Sequence, residues 1–262
     1  MSDNAKRIIV GTIGIPLVLL CTYYGGYPFF AFTLLLEILC LYEFLKMFEA
    51  REYHPLIYFS ISISVMLFVT FIFFREYFVY FILISLILIP VEFFRREKRS
   101  AMNPSLSFFG FIYITLPFAL LYELDKKYEY VYMLFLLIWA GDIFAYFGGR
   151  KFGRTKFTKI SPNKTIEGLI AGFVSTIAVS LIFHFIFTET VTLTDSIVTG
   201  IFVGIFGPAG DLFESFLKRY TGIKDSSGII PGHGGVLDRF DSLIFALPVV
   251  YIYFNYVKEL LI

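Results

Sequence analysis

The chain has 262 residues, of which 58% are hydrophobic and 20% aromatic, and its mean hydropathy is +0.77. Charged residues make up only 16%, against roughly 25% in ordinary soluble domains, so a soluble fold is excluded and the solvent must be a lipid bilayer. The formal net charge of +1 does not point to nucleic acid as a partner, and Cys21 and Cys40 are spaced for neither a disulfide framework nor a metal site.

Apolar runs long enough to cross roughly 30 Å of hydrocarbon recur along the whole chain. The first follows Lys6 and Arg7 as a signal peptide would, but it is too long for one and lacks a cleavage site, so we expect a retained helix. The fold class predicted is all-α, a polytopic integral membrane protein with about nine transmembrane helices. The runs lie near residues 7–24, 28–45, 56–74, 77–94, 105–122, 130–148, 166–187, 196–217 and 241–258.

The distribution of Lys and Arg over the connections predicts the orientation. With nine spans, eighteen of these residues fall on one side and four on the other, namely Arg75, Lys126, Lys127 and Lys258. The positive-inside rule places the richer side, and with it the N-terminus, in the cytoplasm. The expected location is therefore the inner (plasma) membrane, crossed many times, with the sixth and eighth connections on the cytoplasmic face.

The polar residues divide the chain into two predicted parts. Residues 1–128, with spans one to five, read as a transmembrane scaffold that also offers a surface for a homodimer. Residues 129–262, with spans six to nine, read as the catalytic region. Its cytoplasmic loops are predicted at 148–165 and 218–241.

Four acids stand out within the apolar runs, where an ionisable group costs free energy and usually marks function. Glu37 is interpreted as a structural acid. The others are Asp142, Asp211 and Glu214, and the last two share a helical stripe with Gly200, Gly204, Gly207 and Lys218. Small residues on a stripe allow close helix approach, so this face should meet protein. Pro208 is predicted to break or kink the same helix.

The sixth connection is strongly basic and suits a polyanion, although the positive-inside rule alone would also require basic residues there. Residues 148–155 nearly match a P-loop, but Arg154 replaces the lysine and no strand precedes them, so that motif is rejected. The stretch 161–168 looks like the start of span seven, whose N-terminus can bind phosphate. The candidate substrate-binding residues are Arg150, Lys156, Ser161 and Lys164.

The stretch Ser215–Asp241 is the most polar of the chain and lies between two apolar spans. Its cations can clamp phosphates, and its glycines allow a ligand to approach the backbone closely. Carboxylates beside so many cations indicate a divalent ion that bridges acids and phosphate oxygens, as Mg²⁺ prefers. Zinc is not indicated by three dispersed His, and a hydrolase built on Ser226 or Ser227 with His233 lacks a nucleophile elbow.

A long pattern in this stretch resembles the signature of the phosphatidate cytidylyltransferases, the CDP-diacylglycerol synthases. The resemblance extends over about residues 139 to 241 and includes Asp142 and the segments 161–168 and 207–215. The first five spans match only in being apolar. The signature positions are Ser215, Leu217, Lys218, Arg219, Lys224, Asp225, Ser227, Ile230, Pro231, His233, Gly234, Gly235, Val236, Asp238, Arg239, Phe240 and Asp241.

The resemblance implies that CTP and phosphatidic acid give CDP-diacylglycerol and pyrophosphate. On this hypothesis Asp211 and Asp238 are Mg²⁺ ligands, with Asp142 or Asp241 next in line, and a second, monovalent ion is left open. The remaining catalytic candidates are Lys218, Lys224, Asp225 and His233, and His233 either donates to pyrophosphate or organises the loop. Arg219, Arg239, Gly234 and Gly235 are assigned to substrate binding.

Two other functions stay open on the residues alone. The same CTP chemistry on an isoprenoid lipid would require the same loops. A membrane transporter would also explain intramembrane acids and helices interrupted by Gly and Pro, although it would not explain the polar stretch.

Overall fold

The computed structural model describes residues 3–95, 98–124, 128–230, 232 and 234–258. Within these residues the chain is all-helical, with no β-strand beyond two isolated bridges, Lys156 with Thr165 and Ile230 with Gly234. An all-α fold is therefore confirmed. The predictions that concern His233, Pro231, Arg96, Lys126 and Lys127 fall outside the described residues.

The described residues of the first half form seven α-helices. A 3₁₀ turn, Phe48–Arg51, follows α2, and a π-helical turn, Phe111–Thr115, joins α6 to α7. The helices are α1 Asp3–Tyr24, α2 Gly26–Met47, α3 Ile57–Phe73, α4 Phe78–Ser85, α5 Leu88–Phe94, α6 Met102–Gly110 and α7 Leu116–Leu124.

The described residues of the second half form four α-helices. They are α8 Tyr128–Phe152, α9 Ile166–Ile186, α10 Leu193–Thr221 and α11 Leu237–Ile252, the last of which continues as a π-helical turn, Tyr253–Val257. Helix α10 is continuous through Pro208, so the predicted break is not found. A proline removes only one intrahelical bond, and the close packing of Gly200 and Gly204 against α9 accompanies the unbroken helix.

Six helical segments among the described residues are long and apolar enough to cross a membrane. They are Gly26–Arg51, Met102–Leu124, Tyr128–Phe152, Ile166–Ile186, Leu193–Thr221 and Leu237–Val257, and two shorter apolar helices cover Gly11–Tyr24 and Ile57–Phe73. The chain is thus a multi-pass membrane protein by helix length and composition.

The predicted fourth span, 77–94, is divided into α4 and α5. Pro90 has no N–H to donate to the carbonyl of Leu86, the residue four positions earlier. The carbonyl oxygen of Leu86 instead accepts from the N–H of Ile89 at 3.0 Å, which closes a tighter turn. This local geometry separates the two short helices.

The described chain divides into two compact units. One contains the residues up to Glu123 together with Lys218–Arg239, and the other contains Leu124–Leu217 together with the residues from Phe240 onward. The boundary near Glu123 lies close to the predicted one at 128. The segment Lys218–Arg239, however, belongs to the same unit as the predicted scaffold.

The core of the first unit is built on α2. Phe29, Leu41, Phe44 and Leu45 of this helix are fully buried. Gly110 lets α6 approach α2 so closely that a side chain there would meet Leu41 at 2.6 Å. Because lipid tails are as apolar as these side chains, such close packing, rather than exclusion of water, holds the helices together.

The second unit is held by glycines at its helix crossings. Gly148 of α8 lies against Ala171 of α9, and the Cα of Gly172 faces the carbonyl oxygen of Gly141. Between α9 and α10, the hydroxyl of Thr176 donates to the carbonyl oxygen of Gly200 at 2.8 Å. The prediction that the glycine stripe of α10 meets protein is confirmed.

Candidate active site

Asp238 is the centre of the polar loop in the first unit. It lies in the first turn of α11, and its carboxylate pairs with the ammonium of Lys218 from the end of α10 at 2.6 Å. The two side chains are only 4% and 11% exposed. A charge pair with so little contact with solvent is stabilising only when further hydrogen bonds complete it.

Those further hydrogen bonds come from the loop itself. The carboxylate of Asp238 accepts from the N–H of Gly235 at 2.7 Å and from the N–H of Ser226 at 3.0 Å, and the Ser226 hydroxyl lies 3.1 Å away. Asp238 is therefore bound to a residue twelve positions earlier in the sequence as well as to its near neighbour Gly235. The Asp238 carboxylate thus accepts from both the Lys218 side chain and the loop backbone.

Glu43 contacts this loop but was not among the residues singled out from the sequence. It lies on α2 in the predicted scaffold, is fully buried, and accepts hydrogen bonds from both ends of the segment 226–237. The argument that singled out Glu37 applies equally to Glu43, since both are acids within the same apolar run.

The glycines of the loop permit these contacts. Gly234 has a φ of +84°, a backbone conformation that favours glycine. A side chain at Gly235 would overlap both the Ser226 hydroxyl and the Glu43 carboxylate. The two glycines were predicted to let a substrate approach the backbone. In this structure Asp238 occupies the space beside Gly234, and Ser226 and Glu43 occupy the space beside Gly235.

The remaining candidates of the first unit line the exposed surface of the loop. The guanidinium of Arg219 donates to the carbonyl oxygen of Ile223 at 2.9 Å. Lys224, Asp225 and Arg239 are exposed to solvent, and the two cations among them are accessible to a soluble anion.

Asp211 is the most accessible acid of α10 in the second unit. Its carboxylate lies 2.5 Å from the ammonium of Lys164, and its side chain is 33% exposed. The Ser215 hydroxyl, one turn along the helix, is 3.4 Å from the same carboxylate. The structure thus brings together two predicted site residues, Lys164 and Asp211, that are far apart in sequence.

The basic loop before α9 has a defined fold. The carboxylate of Glu167 accepts from the N–H groups of Arg154 and Thr155, both at 3.1 Å. The hydroxyl of Thr165 caps the helix by accepting from the N–H of Gly168 at 3.1 Å. The predicted start of a helix in this stretch is confirmed at Ile166.

The other predicted residues of the second unit are placed around these two features. Arg150 and Lys156 are exposed, and the Arg150 guanidinium lies 3.5 Å from the Tyr146 hydroxyl. The backbone carbonyl of Ser161 accepts from the N–H of Lys164 at 3.0 Å, which closes a turn.

The further acids of this unit differ in exposure. Asp142 is exposed on α8, and Glu214 is fully buried. Asp241 is partly buried, and the backbone of α11 at this residue packs directly against Gly210 of α10.

The donor set can be compared with what Mg²⁺ requires. Among the described residues, no three His, Cys, Asp or Glu side chains are gathered as metal ligands. Mg²⁺ commonly uses one or two carboxylates together with substrate phosphates, and Asp211 fits this because its side chain is one-third exposed to solvent. Asp238 fits less well, since Lys218, Ser226 and Gly235 occupy its oxygens.

Comparison with known proteins identifies the family. The family model described as "Cytidylyltransferase family" matches residues 5–257. A protein of Staphylococcus saprophyticus named phosphatidate cytidylyltransferase is 37% identical over 171 residues, which cover 64% of this chain and 66% of that protein.

Relatives from two further species carry the same name. One from Bacillus subtilis is 42% identical over 123 residues, 47% of this chain and 46% of that protein. One from Staphylococcus aureus is 35% identical over 171 residues, 64% of this chain and 66% of that protein. The alignments thus span just under two thirds of the staphylococcal proteins, whereas the family model covers nearly the whole chain. On this match the chain belongs to the cytidylyltransferase family.

Proposed function

We propose that this protein transfers the cytidylyl group of CTP to phosphatidic acid, giving CDP-diacylglycerol and pyrophosphate. The observation that carries the proposal is the folded signature loop, in which Lys218 and Asp238 form a buried pair held by the loop backbone. The family match over residues 5–257 and the names of the relatives support the same chemistry. A multi-pass membrane protein also has direct access to a lipid substrate in the bilayer.

We further propose nine membrane crossings with the N-terminus and the polar loops in the cytoplasm. The support is the Lys and Arg distribution of the sequence. This orientation gives soluble CTP access to the loops 148–165 and 218–241, while the phosphate of the lipid lies at the same interface. A homodimer through spans one to five stays a prediction.

In the proposed reaction, an oxygen of the lipid phosphate attacks the α-phosphorus of CTP. The bond from that phosphorus to the bridging oxygen of the β-phosphate breaks, and pyrophosphate leaves with the electron pair. The attacking oxygen is already anionic, so positioning and charge neutralisation, rather than proton removal, are the main tasks of the protein. We assign phosphate binding to the cations Arg150, Lys156, Lys164, Lys218, Arg219, Lys224 and Arg239.

We propose Asp211 as the principal Mg²⁺ ligand, with Asp142, Asp241 and Asp238 as further candidates. Mg²⁺ would neutralise phosphate charge and stabilise the leaving pyrophosphate. Lys164 holds the carboxylate of Asp211 in place at 2.5 Å. Asp238 fixes the ammonium of Lys218, and Asp225 and His233 stay catalytic candidates of the loop.

Substitution of the two central aspartates tests the assignment. Asp211→Asn should abolish Mg²⁺-dependent formation of CDP-diacylglycerol from CTP and phosphatidic acid while the purified protein stays folded. Asp238→Asn should also abolish activity, and it should loosen the loop because the pair with Lys218 is lost. The measurement is release of labelled pyrophosphate, with Glu189→Asn, an exposed residue of the turn after α9, as the control.

Three results would count against the proposal. Near-normal activity of both aspartate variants would contradict the role of these acids. Faster turnover of an isoprenoid lipid phosphate than of phosphatidic acid would contradict the substrate. Passage of a solute across liposomes without consumption of CTP would favour transport instead.

A further inference from the structure

Glu43 has an environment unlike that of an ordinary structural acid in a membrane helix. Its side chain is fully buried near the end of α2, and each of its two oxygens accepts two hydrogen bonds. One oxygen lies 2.6 Å from the Ser227 hydroxyl and 3.0 Å from the N–H of Val236. The other lies 3.0 Å from the Ser226 hydroxyl and 2.8 Å from the N–H of Leu237. All the acceptor sites of a carboxylate are thereby used.

The four donors come from the two ends of one segment of the signature loop. Ser226 and Ser227 lie at its beginning, and Val236 and Leu237 lie at its end, where α11 starts. N–H groups at the start of a helix are oriented towards an anion and carry the positive end of the helix dipole. A single carboxylate from α2 therefore holds the loop closed and fixes the position of the first turn of α11.

Glu43 is connected to Asp238 through two short paths. The Ser226 hydroxyl is within hydrogen-bonding distance of both carboxylates, 3.0 Å from Glu43 and 3.1 Å from Asp238. Leu237, whose N–H binds Glu43, directly precedes Asp238 in the chain. Asp238 in turn holds the ammonium of Lys218 at 2.6 Å. Displacement of the Glu43 carboxylate would therefore move both groups of this pair.

We propose that Glu43 is a positioning residue for the proposed transfer reaction, acting on Lys218 and Asp238 through the loop 226–237. The inference rests on the proposed function of that loop. It also gives the predicted scaffold of the first five spans, which matches the family only in being apolar, an indirect part in catalysis through this loop. Misplacement of catalytic groups by about 1 Å can lower a rate on the order of 100-fold.

The chain offers a matched control in Glu37. This residue lies on the same helix, is equally buried, and accepts a hydrogen bond from the Thr115 hydroxyl at 2.7 Å, a contact within the transmembrane helices. Glu43→Gln and Glu37→Gln therefore make the same chemical change at the same depth of burial. Only the first alters contacts with the signature loop.

The experiment compares kcat, KM and amide hydrogen exchange of the two purified full-length variants with the unsubstituted protein. Glu43→Gln should lower kcat by about 10- to 100-fold while KM for CTP changes by less than about threefold, because geometry rather than binding is affected. Amides of residues 226–237 should exchange faster in this variant only. Glu37→Gln should retain kcat within about twofold.

A second comparison covers the case in which Glu43→Gln does not fold. Ser227→Ala removes one donor to Glu43 from the loop side and leaves α2 intact. Ser227→Ala should also lower kcat, but by a smaller factor than Glu43→Gln. Where both variants fold, the double variant should lose less than the product of the two separate losses, since residues in contact are not additive.

Several results would overturn the inference. They are normal kcat in Glu43→Gln, equal losses in Glu43→Gln and Glu37→Gln, or unchanged kcat in Ser227→Ala. If the unsubstituted protein makes no CDP-diacylglycerol, the proposed function fails instead, and hydrogen exchange of the loop still decides whether Glu43 holds it. The two failures are therefore distinguishable.

Discussion

Asp211 and Asp238 carry the same functional group in different surroundings. Asp238 is almost fully buried and satisfied by one ammonium and several loop donors, whereas Asp211 is one-third exposed and faces the ammonium of Lys164. A carboxylate whose lone pairs are already used is suited to hold a loop in shape. A carboxylate that meets solvent, as that of Asp211 does, is suited to accept a ligand in addition to its lysine partner.

Gly235 provides a test at the scale of one residue. In Gly235→Ala the new methyl group would overlap the Ser226 hydroxyl and the Glu43 carboxylate, so the loop must shift. We expect kcat to fall about 10-fold or more, as for other misplaced catalytic groups. The measurement is the rate of CDP-diacylglycerol formation. Gly228→Ala is the control, because a Cβ there has nothing within 4 Å, and equal activity of both variants would refute the expectation.

At the scale of elements, the basic loop before α9 is held by that helix's own first turn. Glu167 accepts two N–H groups of the loop, and Thr165 caps the helix from the loop's last position. The exposed cations Arg154, Lys156 and Lys159 are thus presented on a fixed backbone rather than on a free chain. Pre-ordering of this kind reduces the entropy lost when an anion binds.

Removal of the Glu167 carboxylate should release this loop. In Glu167→Ala we expect faster amide exchange over residues 154–157 and a raised KM for CTP, since the cations are no longer pre-ordered. Hydrogen exchange followed by mass spectrometry and steady-state kinetics measure the two effects. Glu189→Ala, which also removes an acid from unit two, should change neither. An unchanged exchange rate in Glu167→Ala would show that the β-bridge between Lys156 and Thr165 is enough to hold the loop without the Glu167 carboxylate.

The crossing of α8 and α9 gives a prediction about stability. In Gly172→Ala the added carbon would lie 2.9 Å from the carbonyl oxygen of Gly141 and 3.1 Å from the Cβ of Ala145, so the helices must separate. Overpacking of this kind typically costs about 1–3 kcal/mol. A lower midpoint of thermal unfolding in detergent would confirm it. Gly14→Ala in α1, where a Cβ has open space, should not lower the midpoint.

The predictable and unpredictable parts of the fold differ in the range of the interactions involved. Helix starts such as Ile166 could be predicted because the capping residue lies next to the helix in the sequence. The division of the span at 77–94 depends on Pro90, which is also a local signal. It lies inside a long apolar run, and such a run by itself predicts one continuous span. The role of Glu43 could not be predicted, because its partners lie 183 to 194 residues further along the chain.

At the scale of the whole molecule, the proposed orientation makes α9 a direct test of topology. Lys159 before this helix and Glu189 after it are both exposed, and the proposed orientation puts the first on the cytoplasmic side. After Cys21 and Cys40 are replaced by Ser, Lys159→Cys should react with a membrane-impermeant maleimide only in inverted vesicles. Glu189→Cys should react only in right-side-out vesicles. Labelling of both from one side would show that α9 does not span.

The contact between Glu43 and the signature loop also sets the order in which a newly made chain can mature. Glu43 leaves the ribosome long before Ser226, and at 5 to 20 residues per second the separation of 183 residues corresponds to roughly ten to forty seconds of translation. During that time α2 is already at the membrane without its hydrogen-bond donors. A nascent chain that stalls before residue 226 thus holds in α2 a carboxylate whose four hydrogen-bond donors have not yet been made.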